Sequence, residues 1–207
     1  MPAKTNEREY RMIAQGAIEA READENQMIV EGYATTFDQE YTLWGDSQYE
    51  FRESIDRHAF DDTDMSDVIM QYDHAGRVFA RRSNNTLQLA TDDHGLHIRA
   101  YLGGTEIGRQ LYEEILGGYT SKMSFGFTVS REERTEENVD GKMIVHRKIT
   151  GIKKLYDVSA VSLPANDATE ISSRGYCEGV IAEIRQEMQA RKAREDHKTK
   201  IRLLMEV

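Results

Sequence analysis

The stretch that decides the fold class is MSFGFTV, residues 123–129. Apolar residues occupy every second position, and Ser124, Gly126 and Thr128 occupy the positions between them. Alternation with a period of two is typical of a strand that buries one face, so we predict a strand here. The serine and the glycine then lie on the face that points away from the core.

The residues that follow predict a hairpin. Asp140-Gly141 is a strong turn signal, and the apolar run 143–145 comes directly after it. The acidic stretch 132–137 would extend this hairpin into solvent. A further strand is predicted over 155–163, because the segment is rich in strand-forming residues and Pro164 stops it.

The residues that precede the stretch predict two strands and a helix. Residues 27–37 and 95–102 carry strand patterns, and residues 105–116 carry apolar residues four apart behind a capping threonine. A second helix is predicted from about residue 178 to 194. The fold class is therefore α+β, mainly β.

The composition changes near Gly175. The segment from residue 176 onward contains seven Lys and Arg and six Asp and Glu, so its formal charge is +1. The whole chain carries a formal charge of −10. We therefore predict a main domain at 1–175 and a C-terminal helical extension at 176–207. The extension either packs on the domain or binds a partner, and packing is the commoner role of an apolar helical stripe.

Length, charge and cysteine content exclude some classes of function. A chain of 207 residues suits one domain with a tail. Its acidity argues against nucleic acid and membrane as partners. Cys177 is the single cysteine, so no internal disulfide is expected. We see neither a signal peptide nor a long apolar run, and we expect a soluble, cytoplasmic protein.

Common catalytic signatures are absent from the sequence, including G-x-S-x-G, H-E-x-x-H and the phosphate-binding loops. His94 and His97 have a spacing that could bind a metal. An i, i+3 pair on a strand points to opposite faces, however, so surface histidines are the favoured interpretation. A metal-dependent hydrolase would lose activity with a chelator.

Ser124 is the candidate nucleophile that the pattern itself offers. Gly126 leaves bare backbone beside it, where a substrate chain could approach. A serine hydroxyl needs a base, and the base needs a partner that fixes its tautomer. His74 and Asp157 could fill these roles, although spacing alone leaves this a minority interpretation. Lys122 shares a face with Ser124 and gives an alternative Ser–Lys dyad, provided that burial lowers its pKa.

Several motifs in order resemble the phage prohead protease family. They are Asp73-His74, the stretch 123–127, and 157–159 followed by 164–166. The flanking segments 32–37 and 51–60 also resemble it, so the similarity covers roughly residues 27–172.

This resemblance implies a fold similar to herpesvirus assemblin, with a closed or nearly closed β-barrel flanked by helices. It implies a serine endopeptidase with Ser124 as nucleophile, His74 as base and Asp157 as third member. Because the herpesvirus enzymes use a second histidine as third member, His146 is the reserve candidate. Neither a metal nor an organic cofactor is implied.

The resemblance also implies a location and partners. The enzyme would act inside the immature capsid in the host cytoplasm, cutting scaffolding segments, the major capsid protein and itself. Activity must be restrained before assembly, and control by homodimer formation and control by local crowding within the particle are both open. We expect the tail to bind scaffold or to be removed by self-cleavage. The alternative is a non-enzymatic capsid-assembly scaffolding module, which would not need Ser124 and His74 to lie close together.

Overall fold

The computed structural model describes residues 7–20, 28–162 and 167–205, and it confirms a mainly β fold with helices. The strands are β1 (Glu9–Ala20), β2 (Ile29–Thr36), β3 (Tyr41–Gly45), β4 (Tyr49–Ile55), β5 (Ile69–Tyr72), β6 (Ala75–Arg81), β7 (Leu87–Thr91), β8 (Gly95–Tyr101), β9 (Lys122–Val139) and β10 (Lys142–Val161). The helices are α1 (Glu106–Leu116) and α2 (Asp167–Met205).

The strands form one sheet in the order β3-β4-β10-β9-β1-β2-β8-β7, with the β5–β6 hairpin added beside β10. β4 and β5 both run parallel to β10, whereas the other pairs are antiparallel. In the part of the chain that the structure describes, the path has two open ends, because β3 and β7 do not pair. The closed barrel that the resemblance implies is therefore not confirmed.

The predicted alternation in residues 123–129 is confirmed on β9. Met123, Phe125 and Phe127 have no exposed surface and belong to the main core. The rings of Phe125 and Phe127 stack with centroids 4.5 Å apart. The core therefore lies on one face of β9, and the opposite face is free to carry polar side chains.

The predicted hairpin is also present, with longer strands than the sequence indicates. Asp140 and Gly141 have φ values of 52° and 87°, which suit the tight turn between antiparallel strands. β10 continues for 20 residues, although we predict two separate strands there. Register shifts between Ile149 and Asp157 allow the strand to pass through this irregular stretch without ending.

Strand β1 is missing from the sequence prediction, because charged residues mark its buried face. Arg11 is 1% exposed and donates to Glu53 at 2.6 Å and to Glu9 at 2.5 Å. Arg147 of β10 donates to the same two carboxylates at 2.7 Å each. These four residues form a buried ion cluster that fixes β1 against β4 and β10.

Helix α1 matches its prediction, and α2 is longer than predicted. Thr105 caps α1 by accepting a hydrogen bond from the Gly108 N–H at 3.1 Å. α2 is continuous through Gly175, and the division at that residue stays a prediction. Cys177, Val180 and other α2 side chains form a second core with strands β4 and β10. Among the described residues, we find no helix long and apolar enough to span a membrane.

Candidate active site

Ser124 lies on the face of the sheet opposite the main core. Its neighbour across the strands is Ser159 of β10, and Asp157 of β10 pairs with Gly126. Side chains at alternate positions of a strand share a face, so Ser124, Asp157 and Ser159 point to the same side. This surface of β9 and β10 is the floor of the candidate site.

His74 reaches this face from the turn between β5 and β6. Strand β5 pairs Gln71 with Ser159, which brings the turn close to the floor. Asp73 and His74 have φ values of 48° and 57°, a left-handed conformation that costs about 1–2 kcal/mol for each. The Asp73 carboxylate stabilises the turn by accepting hydrogen bonds from the Ser162 N–H at 3.1 Å and hydroxyl at 3.0 Å.

The His74 imidazole joins the other two candidate residues. Its Nε2 lies 2.5 Å from the Ser124 Oγ, and its Nδ1 lies 2.5 Å from the Asp157 Oδ2. The Asp157 side chain is fully buried, Ser124 is 1% exposed, and the His74 side chain is 3% exposed. The three residues come from three elements, and their contacts have the arrangement of a nucleophile, a base and an orienting acid.

The Ser124 hydroxyl has two acceptors for its one proton. Besides His74 Nε2, the Arg11 carbonyl oxygen accepts from Oγ at 2.9 Å. When the imidazole is neutral and protonated on Nδ1, Nε2 can take the hydroxyl proton. When the imidazole is cationic, its Nε2–H donates to Oγ and the hydroxyl donates to Arg11. The site therefore accommodates both protonation states of His74.

Asp157 is held as a carboxylate by its surroundings. The Ser159 hydroxyl donates to Oδ2 at 2.8 Å, and the Arg8 guanidinium forms an ion pair with Oδ1. Burial alone would raise the pKa of Asp157. The hydrogen bond and charge of His74, the charge of Arg8 and the Ser159 hydroxyl outweigh burial, so the pKa lies below its ordinary value. A buried anion beside Nδ1 fixes the tautomer that leaves Nε2 as the base.

The expected role of Gly126 is wrong in its detail. We expect the glycine to leave room for a substrate chain, but that space is filled by the protein itself. A Cβ at position 126 would lie 2.3 Å from the Asp157 Oδ1 and 2.9 Å from the Arg8 Nε. The glycine is thus needed because a carboxylate and a guanidinium pack directly against its backbone.

Two residues at the site have no role in the sequence analysis. Ser159 could have been found, since it lies two positions after Asp157 and must share its face on a strand. Arg8 could not, because the pairing of β1 with β9 depends on a register that the sequence does not reveal. That register places Tyr10 opposite Gly126, and Arg8 comes two residues earlier on the same side.

His146, the reserve third member, lies elsewhere on β10. It precedes Asp157 by eleven positions, which is roughly 35 Å along an extended strand. Its Nδ1 lies 2.6 Å from Glu40, and its Nε2 lies 3.2 Å from Glu137. The structure therefore brings Asp157, and not His146, to His74.

The other candidates can also be placed. His94 lies in the turn before β8, so the alternation argument does not apply to it, and both His94 and His97 contact the Tyr33 ring. Across residues 7–20, 28–162 and 167–205, no group of three His, Cys, Asp or Glu suited to a metal is found. Residues 164–166, whose backbone N–H groups are candidate oxyanion donors, lie outside the described residues.

The Ser–Lys alternative has a weaker geometric basis than the histidine. Lys122 stands at the start of β9, where it pairs with Val161. Within the described part of the chain, the hydrogen-bond partners of the Ser124 Oγ are His74 and Arg11. The contact with Nε2 therefore makes His74 the base that the geometry favours.

Comparison with known proteins gives one match. The family model described as caudovirus prohead serine protease matches residues 16–181. No curated protein and no solved structure matches the chain. The matched range contains Ser124, His74 and Asp157 and covers most of the chain. By this match, the chain belongs to the caudovirus prohead serine protease family.

Proposed function

We propose that the protein is a serine endopeptidase that cleaves scaffolding segments of the phage capsid, and itself, during capsid maturation. The observation that carries this proposal is the His74 imidazole, which bridges Ser124 and Asp157 with 2.5 Å contacts at both nitrogens. A scaffolding module would not need this contact, whereas an acyl-transfer enzyme does. Family membership agrees with the same chemistry.

The first half of the reaction forms an acyl-enzyme. His74 Nε2 takes the Ser124 proton as Oγ attacks the peptide carbonyl carbon, and a tetrahedral oxyanion forms. Asp157 keeps its negative charge, orients Nδ1–H and stabilises the imidazolium. The C–N bond then breaks, and the imidazolium gives its proton to the departing amine. Oxyanion donors are required, and the loss of one commonly costs about 2.7–4 kcal/mol.

The second half releases the acyl group. A water molecule gives one proton to His74 Nε2 while its oxygen attacks the ester carbonyl. The ester bond to Oγ breaks, and His74 returns its proton to Ser124. The products are a carboxylic acid and the free enzyme, so no cofactor is consumed.

Substrate access requires a change from the conformation described here. Ser124 is 1% exposed, so a peptide carbonyl cannot reach Oγ until neighbouring groups move aside. Transient opening of the site in the free protein would admit a small probe as well as a peptide. The proposed location of the enzyme is the immature capsid in the host cytoplasm. The proposed substrates are the major capsid protein, scaffolding segments and a second copy of this chain.

A fluorophosphonate probe tests the nucleophile without knowledge of the substrate. We expect intact-mass and peptide mapping to find one adduct on Ser124, and none in Ser124→Ala or His74→Gln. Ser130→Ala is the matched control, because Ser130 lies on the exposed part of the same strand. Labelling that persists in Ser124→Ala, or that is absent in the wild type, would contradict the proposal.

A further inference from the structure

One oxygen of the Asp157 carboxylate contacts a residue that the proposed mechanism does not use. Oδ2 accepts hydrogen bonds from His74 and Ser159, and Oδ1 is paired with the Arg8 guanidinium. Because both oxygens are engaged, the plane of the carboxylate is fixed. Asp157 is fully buried, whereas the Arg8 side chain is 34% exposed and enters the site from its rim.

The Arg8 guanidinium lies between two aromatic rings. Its Cζ lies 5.0 Å from the centre of the Tyr10 ring and 4.7 Å from that of Tyr156. At these distances a guanidinium is attracted by the ring faces. The Tyr10 ring in turn lies 4.5 Å from the His74 ring. The arginine is therefore held in one position next to both members of the His74–Asp157 pair.

One donor of this guanidinium is left unused. Arg8 Nε is buried and has no hydrogen-bond partner among the described residues, and it faces the bare backbone of Gly126. A buried donor without a hydrogen-bond partner lowers the stability of the fold. The orientation of the Arg8 guanidinium must therefore have a reason other than stability. The orientation that leaves Nε unpaired is the one that points the guanidinium at the Asp157 carboxylate.

We infer that Arg8 is a positioning residue for catalysis, which holds the Asp157 carboxylate in the orientation that accepts the His74 Nδ1–H. The inference rests on the proposed function and adds a residue to it. Arg8 lies outside residues 16–181, the range that the family model matches. Without Arg8, the Asp157 Oδ1 would lose its charged partner, and the carboxylate could turn away from Nδ1. The tautomer that leaves Nε2 as the base would then no longer be fixed.

Other contacts hold the surroundings of the pair. Tyr10 lies against the His74 ring from β1, and Tyr156 lies against the Arg8 guanidinium from β10. The Asp73 carboxylate accepts hydrogen bonds from Ser162 in the turn that carries His74. Among the described contacts of the Asp157 carboxylate, the ion pair at Oδ1 is the one that Arg8 makes.

The test is the rate of Ser124 labelling by the fluorophosphonate probe at about pH 7. In Arg8→Gln, which cannot form the ion pair, we expect the rate to fall by about 10–100-fold, because the carboxylate is no longer held in place. Arg8→Lys restores a cation that can pair with Oδ1 and should recover most of the wild-type rate. The control Arg57→Gln removes an exposed ion pair with Asp38 and should change nothing. A wild-type rate in Arg8→Gln, or a rate in Arg8→Lys as low as that of Arg8→Gln, overturns the inference.

A second measurement separates this inference from the proposed function. The His74 Nδ1–H proton can be observed by NMR, with its signal assigned from its loss in His74→Gln. Its downfield signal reports the hydrogen bond to Asp157 and should be shifted or lost in Arg8→Gln, whether or not the probe reacts. Arg8→Met keeps an apolar stem between the tyrosine rings and replaces Arg8→Gln if that variant does not fold. Identical Nδ1–H signals in wild type and variant would overturn the inference, whereas absent labelling would contradict the proposed function alone.

Discussion

The Asp157 carboxylate can occupy its position in the site only because Gly126 has no side chain. With a side chain at this position, the Asp157 carboxylate and the Arg8 guanidinium would both have to move. A displaced carboxylate no longer fixes the Nδ1 tautomer of His74. A displacement of about 1 Å in a catalytic group can lower a rate by about 100-fold.

Gly126→Ala is therefore expected to lower the rate of Ser124 labelling by about 100-fold or more. Gly179→Ala in α2 is the matched control, because a Cβ there meets nothing within 4 Å. Labelling kinetics and thermal melts of both variants give the answer. Equal labelling rates in the two folded variants would show that the close packing against Gly126 is unimportant.

Asp157→Asn keeps the size of the side chain and removes its charge. Because an amide can donate to Nδ1 as well as accept from it, the tautomer with a free Nε2 is no longer enforced. We expect the labelling rate to fall by about 10³–10⁴-fold, as for removal of the acid from an established triad. Ser159→Ala should have a smaller effect, since His74 and Arg8 still hold the carboxylate. A rate within tenfold of the wild type for Asp157→Asn would exclude Asp157 as the orienting acid.

The sequence predicts the nucleophile better than its partners. Ser124 follows from a local pattern, because alternation alone turns it away from the core. His74 lies 50 positions from Ser124 in the chain, and local patterns do not indicate which turn packs on which strand. The family resemblance is what identifies His74, and neither the local pattern nor the resemblance indicates a role for Arg8.

At the scale of elements, β1 connects the candidate site to the buried ion cluster. Arg8 and Tyr10 of this segment face His74 and Asp157, while Glu9 and Arg11 face the cluster. A slip of one residue would exchange these faces. The cluster therefore maintains the register that presents Arg8 to the site.

Glu53 at the centre of the cluster is expected to make stability depend on pH. Burial opposes its ionisation, but Arg11 and Arg147 lower its pKa from 4.5 to about 2. Since the folded state keeps the carboxylate charged, the stabilisation is complete above about pH 4.5 and is lost as pH falls towards 2. Urea unfolding followed from pH 7 to pH 3 should show this decline.

Glu53→Gln should destabilise the protein at pH 7 by about 3–5 kcal/mol, because two buried arginines lose a counter-charge. Its acid decline should also be shallower than that of the wild type. Glu113→Gln, on the exposed face of α1, is the control and should change stability by less than about 0.5 kcal/mol. If both variants unfold alike, the cluster does not stabilise β1.

The limits of prediction at this scale have physical causes. The sequence predicts α1 to within a residue because its cap and periodicity are local signals. β1 is absent from the sequence prediction because Glu and Arg are ordinarily surface residues. The burial of Glu9 and Arg11 depends on Glu53 and Arg147, which lie far away in the chain. The division of β10 into two strands reflects register shifts, which have no reliable sequence signal.

At the scale of the whole molecule, α2 has a packed part and an exposed part. Cys177, Val180, Ile181 and Ile184 are buried against the strands, whereas residues 185–198 are exposed. The exposed part agrees with a partner-binding or removable segment, and the packed part does not. If the tail is removed by self-cleavage, the cut should fall after Ile184.

Two truncations test this division of α2. A chain that ends at residue 188 should keep its stability within about 1 kcal/mol. A chain that ends at residue 175 loses the four buried side chains and should be less stable by about 5 kcal/mol or more. Urea unfolding of both chains measures the difference. Equal stability would contradict the packed role of the first part, and an intact C-terminus in mature particles would count against self-removal.

The most direct test of the central claim is co-expression with the major capsid protein, with intact-mass spectrometry of the assembled particles. We predict that the wild type shortens the capsid protein or itself, and that Ser124→Ala leaves every chain at full length. Shortening by Ser124→Ala would refute Ser124 as the nucleophile. Particles in which both proteins leave all chains uncut would contradict the protease proposal and favour the scaffolding alternative.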